Sequence, residues 1–250
     1  MLLRADDVTM AFDGFHAVSG ASLAVTEGEI IGLIGPNGAG KSTFFNCLAG
    51  DLTPSAGRVF FDEVEVTRAS PEAHARLGIG RTFQVPATFE EMTVLENVMV
   101  GALLRHPGAG NARREALRVL ELTGLQPQAA QKARALGTPG RKRLEIARVM
   151  ATSPRLVLLD EALAGLTPAE IRLAIELVRA IHRSGVTLII VEHIMEVILT
   201  LAERVIVFNQ GRVIAEGAPG EVVNDPTVID AYLGHSHARR GRRGDGRDAP

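Results

Sequence analysis

The segment Gly35-Pro36-Asn37-Gly38-Ala39-Gly40-Lys41-Ser42 has the spacing G-x-x-x-x-G-K-[ST], and it lies between an apolar run, Ile30–Ile34, and a stretch with helical character from Lys41 to Ala49. Glycines let the backbone turn its N–H groups inward around the β- and γ-phosphates of a nucleotide. A helix starting near Lys41 adds unsatisfied donors and the positive end of a dipole, so the segment reads as an anion cradle. In that cradle Lys41 supplies a point charge for the phosphates, Ser42 a hydroxyl for Mg2+ and Thr43 a second contact beside it. Only three of the 27 basic residues are lysines (Lys41, Lys132 and Lys142), which singles out Lys41 in an arginine-biased chain. The alternative, a plain glycine turn, does not account for the strand before the motif or the helix after it.

Two further places offer chemistry. The apolar run Leu156-Val157-Leu158-Leu159 ends in Asp160-Glu161, which puts two carboxylates where a buried strand emerges at the carboxyl edge of a sheet, the edge at which α/β folds bind ligands. Asp160 is suited to holding magnesium and Glu161 to polarising a water that attacks the γ-phosphate. His193 stands at the equivalent end of the run Leu188–Val191, one residue beyond Glu192. From there it can donate a hydrogen bond to a γ-phosphate; a structural or solvated histidine is the plainer alternative.

These residues need a sheet to present them. Strands are expected at Leu2–Phe12, Ala21–Val25, Ile30–Ile34, Arg58–Phe61, Ile79–Thr82, Leu156–Leu159, Leu188–Val191 and Arg204–Phe208. Helices are expected at Lys41–Ala49, through much of 91–151, and around Ala169–Arg183 and Ile194–Leu201. A chain of 250 residues, 46% hydrophobic and 22% charged, is an ordinary globular composition. Its net charge of −2 gives no global case for nucleic acid, and its one cysteine, Cys47, reads as a small core residue. The longest apolar runs are strand-sized, far short of the ~20 residues that span a bilayer. After Gly234 the chain is rich in glycine, arginine and aspartate with almost no apolar side chains, so 235–250 is expected to be a disordered basic tail.

The order of several motifs gives a more specific reading. After the phosphate loop come Arg81-Thr82-Phe83-Gln84, then Arg143-Leu144-Glu145-Ile146-Ala147-Arg148, Leu159-Asp160-Glu161, Ala164-Gly165-Leu166-Thr167 and Glu192-His193. In this order they resemble the ABC transporter ATPase family from Leu2 to about Gly234. The resemblance implies an α/β P-loop NTPase fold over residues 1–234, with a mainly parallel sheet core, an N-terminal antiparallel β subdomain and a helical insertion at about 85–151. It implies ATP hydrolysis, with ATP and Mg2+ as cofactors and with Gln84 linking metal and attacking water to the helical lobe. Phe12 is then the aromatic face for adenine, which suits a base without demanding hydrogen bonds; simple burial is its alternative. Arg81–Gln84, Met92–Val98, Ala164–Pro168, Val191–His193, Ile214–Gly217, Asp225-Pro226 and Ala231–Gly234 are most similar to the ATPase subunits of branched-chain amino-acid importers. That implies two transmembrane permease subunits, a second ATPase subunit and, indirectly, an external solute-binding protein as partners. It places the chain peripherally at the cytoplasmic face of the inner membrane.

One segment departs from the family. Its signature usually reads Leu-Ser-Gly-Gly-Gln, and in register this chain has Leu136-Gly137-Thr138-Pro139-Gly140. In the family that loop reaches across a head-to-tail dimer to the partner's γ-phosphate; Gly137 brings no hydroxyl and Pro139 no N–H. Ala162 and Ile194 are smaller departures that leave the chemical groups in place. Two alternatives remain beside the transporter ATPase: a catalytically weakened regulatory nucleotide binder, which the altered signature favours, and a non-transport ABC ATPase, which a coiled-coil insertion or a second cassette would favour.

Overall fold

The computed structural model describes residues 1–83 and 87–241, with side chains as far as Leu233. Two sheets organise it. The first is antiparallel, in the order β2-β1-β4-β5, from β1 (Leu3–Phe12), β2 (Phe15–Val25), β4 (Ala56–Phe61) and β5 (Val64–Glu65). The second has the order β10-β9-β3-β8-β7-β6, from β3 (Ile30–Ile34), β6 (Ile79–Arg81), β7 (Leu156–Asp160), β8 (Thr187–Val191), β9 (Arg204–Asn209) and β10 (Arg212–Gly217). All its pairings are parallel except the one between β9 and β10.

The near-continuous apolar strands of the parallel sheet follow from burial on both faces. Side chains alternate along each strand, so Ile31 and Leu33, Leu156 and Leu158, and Ile206 and Phe208 pack toward one core. Ile30 and Ile34, Val157 and Leu159, and Val205 and Val207 pack toward the other. The first core is closed by α1 (Lys41–Ala49) and the antiparallel sheet, with the Phe44 and Phe208 rings 5.1 Å apart. The second is closed by α3 (Val94–Ala102), α4 (Ala109–Leu122), α5 (Thr138–Met150), α6 (Pro168–Arg183) and α7 (Met195–Leu201). A short helix, α2 (Pro71–Leu77), precedes β6, while α8 (Pro219–Val222) and α9 (Pro226–Gly241) follow β10.

The structure differs from the sequence reading at some edges. Strand β2 begins at Phe15, not Ala21, and β10 adds an antiparallel strand at Arg212–Gly217 that hydrophobic pattern did not reveal. Both belong to two-residue hairpins whose central residues have positive φ, Asp13-Gly14 and Gln210-Gly211, and Asp62-Glu63 makes a third. The helical stretch 91–151 is three helices, with two short 3-10 turns between the second and the third and with α3 started by a Thr93/Glu96 capping box. Helix α9 runs to Gly241, past the boundary expected at Gly234, and Val228 and Ala231 bury its first turns. Residues 242–250 lie outside the described residues.

Candidate functional site

The phosphate loop connects the end of β3 to α1, and its glycines are required by contact as well as by dihedral angle. A Cβ on Gly35 (φ 144°) would lie 2.1 Å from the Phe208 carbonyl oxygen of β9, and one on Gly40 (φ 100°) 2.3 Å from the Ala17 oxygen of β2. Two strands therefore press on the loop backbone, and the β9–β10 turn braces it through Gly211 N–H, which donates to the Ala39 oxygen at 2.8 Å. Helix α1 starts at Lys41 with no side-chain cap on its first N–H groups. Those first N–H groups are left without a side-chain partner, as an anion site needs. The Lys41 ammonium arches back over the loop and donates to the oxygens of Gly35 (2.7 Å) and Pro36 (3.0 Å). Burial lowers its pKa, and the fields of Glu161 and Asp160 oppose that shift.

Asp160 ends β7 and is 9% exposed. Its pKa is raised, by burial first and also by Glu161, against the fields of Arg81 and Lys41. Its N–H donates to Thr82 Oγ1 at 3.1 Å. Glu161 follows with φ 45°, a left-handed backbone rare outside glycine, held by its N–H on the Val191 oxygen at 2.9 Å. That bond fixes the start of the Glu161 turn to the end of β8. One residue further along, buried Glu192 accepts from Leu163 N–H at 2.9 Å and tethers the same turn. Burial raises the Glu192 pKa, and its Oε2 has no hydrogen-bond partner among the described residues. His193 is exposed just beyond it.

Lys41, Ser42, Thr43, Asp160, Glu161 and His193 thus converge on the carboxyl edge of β3, β7 and β8. Ser42 and Asp160 offer oxygen ligands, which fits a hard cation that would take its remaining ligands from phosphates and water. Among the described residues no group of three or more His, Cys, Asp or Glu side chains could hold a metal alone.

A family sequence model described as "ABC transporter" matches residues 18–164. The chain belongs to the ABC transporter family. A second model, "Branched-chain amino acid ATP-binding cassette transporter", matches 212–238. The chain is 39% identical over 94% of its length, and 98% of the relative's, to the high-affinity branched-chain amino acid transport ATP-binding protein LivG of Salmonella typhimurium. It is 37% identical, with the same coverages, to the protein of that description called BraF in Pseudomonas aeruginosa. Among solved structures, the ADP conformation of an ATP-binding cassette of an ABC transporter superposes with a TM-score of 0.85 at 32% identity, covering 93% of this chain and 98% of that one. A nucleotide-free cassette gives 0.84 at 31%, covering 92% and 98%.

As an ABC cassette the chain hydrolyses ATP, and its remaining sites take their places around that activity. Phe12 is 43% exposed at the end of β1, paired across the hairpin with Phe15, a second exposed aromatic that sequence reading passed over. The same hairpin meets the phosphate loop at Ala17. Gln84 lies outside the described residues, but both flanks of its segment are held by α5. Glu145 accepts from Phe83 N–H at 2.6 Å, Arg148 donates to the Ala87 oxygen, and the Arg148 guanidinium lies 4.7 Å from the centre of the Phe89 ring. Lys142 of the same helix donates to the Glu161 oxygen at 3.3 Å.

The altered signature forms the first turn of α5. Gly137 is its N-cap without a side-chain bond, Thr138 its exposed first residue, and Pro139 lies within the first two positions. The first intrahelical bond runs from Arg141 N–H to the Gly137 oxygen at 3.0 Å. Thr138 and Gly140 keep their N–H groups, while a hydroxyl at 137 and an N–H at 139 are missing.

No described helix is long and apolar enough to cross a membrane. Sequence reading quoted Arg81, Thr82, Glu145 and Glu192 only as members of motifs and gave them no role, and it passed over Lys142, which stands beside one.

Proposed function

We propose that this ATPase energises import of branched-chain or related amino acids, working at the inner face of the membrane with two permease subunits, a second ATPase and an external binding protein. The observation that carries the reading is the branched-chain transporter match over 212–238, on a chain that keeps the phosphate loop and Asp160-Glu161 at one sheet edge. In this reading the loop from Gly35 to Thr43 holds the phosphates with backbone N–H groups and the Lys41 charge, and Phe12 stacks on adenine. Ser42, Asp160 and Gln84 hold magnesium, which when bound screens the charge of the β- and γ-phosphates. Glu161 takes the proton of the attacking water, Gln84 helps to orient that water, and His193 donates to the γ-phosphate. Closing two such subunits on ATP and releasing them after hydrolysis is what drives the permeases.

The altered signature supports a finer reading: the partner ATPase is a different chain with a fuller signature, and nucleotide on that partner's phosphate loop turns over slowly. The test is reconstitution of the protein with candidate permease and ATPase partners from the same genome, in vesicles loaded with ATP. Uptake of leucine, isoleucine or valine that requires external binding protein, and is lost with Lys41→Ala, is the expected result. ATP-dependent uptake of an unrelated solute class alone contradicts the substrate assignment.

A further inference from the structure

Arg81 ends β6 and joins more elements of the site than any role above requires. Its guanidinium pairs with Asp51 after α1, donates to Asn46 Oδ1 of α1 at 3.0 Å, and places Nη2 3.7 Å from Asp160 Oδ2. It also lies 4.6 Å from the centre of the Phe83 ring and 5.5 Å from that of Phe45. Glu145 of α5 adds a third carboxylate to its field. The Arg81 side chain is 15% exposed and that of Asp160 12%. A tie between α1 and β6 alone would be complete with Asn46 and Asp51. The approach to Asp160 is additional, and at 3.7 Å it balances the carboxylate's charge without a close two-point clamp on its oxygens.

The neighbouring residues reinforce the arrangement. Thr82 Oγ1 accepts from the Asp160 N–H at 3.1 Å, so the end of β6 holds both the backbone and the charge of Asp160. Phe83, whose ring lies against the same guanidinium, is fixed to α5 by its N–H on Glu145. Lys41 is engaged with the oxygens of its own loop, and among the described residues it is Arg81 that forms an ion pair with Asp160.

We propose that Arg81 is a positioning residue for the metal: it holds the Asp160 carboxylate at the sheet edge in the orientation that Mg2+ needs, and ties that orientation to the seat of Phe83 on α5. The inference rests on the reading of Asp160 as a holder of magnesium. Partners that orient a metal ligand without touching the metal are typically worth about 10- to 100-fold in metal affinity. A purely structural tie would instead weaken nucleotide binding with and without metal alike.

The test is Mn2+ affinity of the full chain with a saturating non-hydrolysable ATP analogue, read from the free-ion paramagnetic resonance signal and corrected for the analogue alone. Analogue binding in EDTA is measured in parallel. Arg81→Gln is expected to weaken Mn2+ about 10-fold or more and to leave metal-free binding within about threefold. Should Arg81→Gln not fold, Arg81→Lys keeps a cation that cannot span Asn46, Asp51 and Asp160 together, and a smaller loss of the same kind is expected. Asp160→Asn calibrates the assay with the largest loss. Normal or tighter Mn2+ binding in the Arg81 variants beside a clear loss in Asp160→Asn overturns the role of Arg81 alone. Parallel losses with and without metal also overturn it. Unchanged affinity in Asp160→Asn overturns the metal placement and this inference with it.

Discussion

The phosphate loop and the first turn of α5 are both helix starts preceded by glycine, and they are equipped very differently. At the first, the approach of Phe208 and Ala17 forces glycine at 35 and 40, Lys41 lies over the loop, and the fields of Asp160 and Glu161 act on it. At the second, Gly137 caps without a side chain, Pro139 removes a donor, and Thr138 offers an exposed hydroxyl. Anion binding at a helix start depends on how many donors point outward and on what surrounds them, not on the helix alone. In the proposed dimer the two starts would serve different nucleotides, so the donors missing at the second would leave the first untouched.

The largest effect expected on this contrast is at the well-equipped half. Glu161→Gln should keep ATP binding and slow hydrolysis by about 10² to 10⁴, the range for losing a positioned general base. Single-turnover hydrolysis beside equilibrium nucleotide binding measures both; normal turnover would move the base elsewhere. The poorly equipped half should respond in the opposite sense. Gly137→Ser combined with Pro139→Gly restores two neutral donors at ~0.5 to 1.5 kcal/mol each, so closure over the partner's nucleotide should strengthen about 5- to 150-fold. The ATP dependence of dimerisation by light scattering reads this, and an unchanged dimer constant would mean that the first turn of α5 does not limit closure.

A smaller effect separates the two halves by pH. The folded-state pKa of Glu192 is raised by burial, so the native state holds its proton to a higher pH than the unfolded chain does. Its contribution therefore falls as pH rises from the ordinary carboxylate range through the raised value, and is absent from Glu192→Gln. Denaturation midpoints from pH 4 to 7 should show the wild type losing stability relative to Glu192→Gln as pH increases. A constant difference between the two would contradict the sign.

Much of the fold was legible because buried parallel strands are apolar throughout, so Ile30–Ile34 and Leu156–Leu159 stood out. The start of β2 was not, because His16 and Ser19 belong to an exposed edge where apolar pattern fades, although Asp13-Gly14 carried the turn signal. Motif residues at strand ends were found by spacing. Arg81, Glu145 and Glu192 were given no role because they act through partners far along the chain: Asp51 and Asp160 for the first, Phe83 for the second, Leu163 for the third. Periodicity describes which face a residue occupies, not which distant loop it meets.

The most direct test of the contrast is hydrolysis by the reconstituted transporter with the catalytic glutamate removed from one ATPase subunit at a time. In the proposed heterodimer, nucleotide on Lys41 of this chain would be gripped by the partner's fuller signature, whereas nucleotide on the partner would face Gly137 and Pro139. Glu161→Gln in this chain is therefore expected to remove most of the turnover, and the matching change in the partner to remove much less. Equal losses, or a greater loss from the partner's substitution, would show that Leu136–Gly140 is a fully working signature and would contradict the asymmetry.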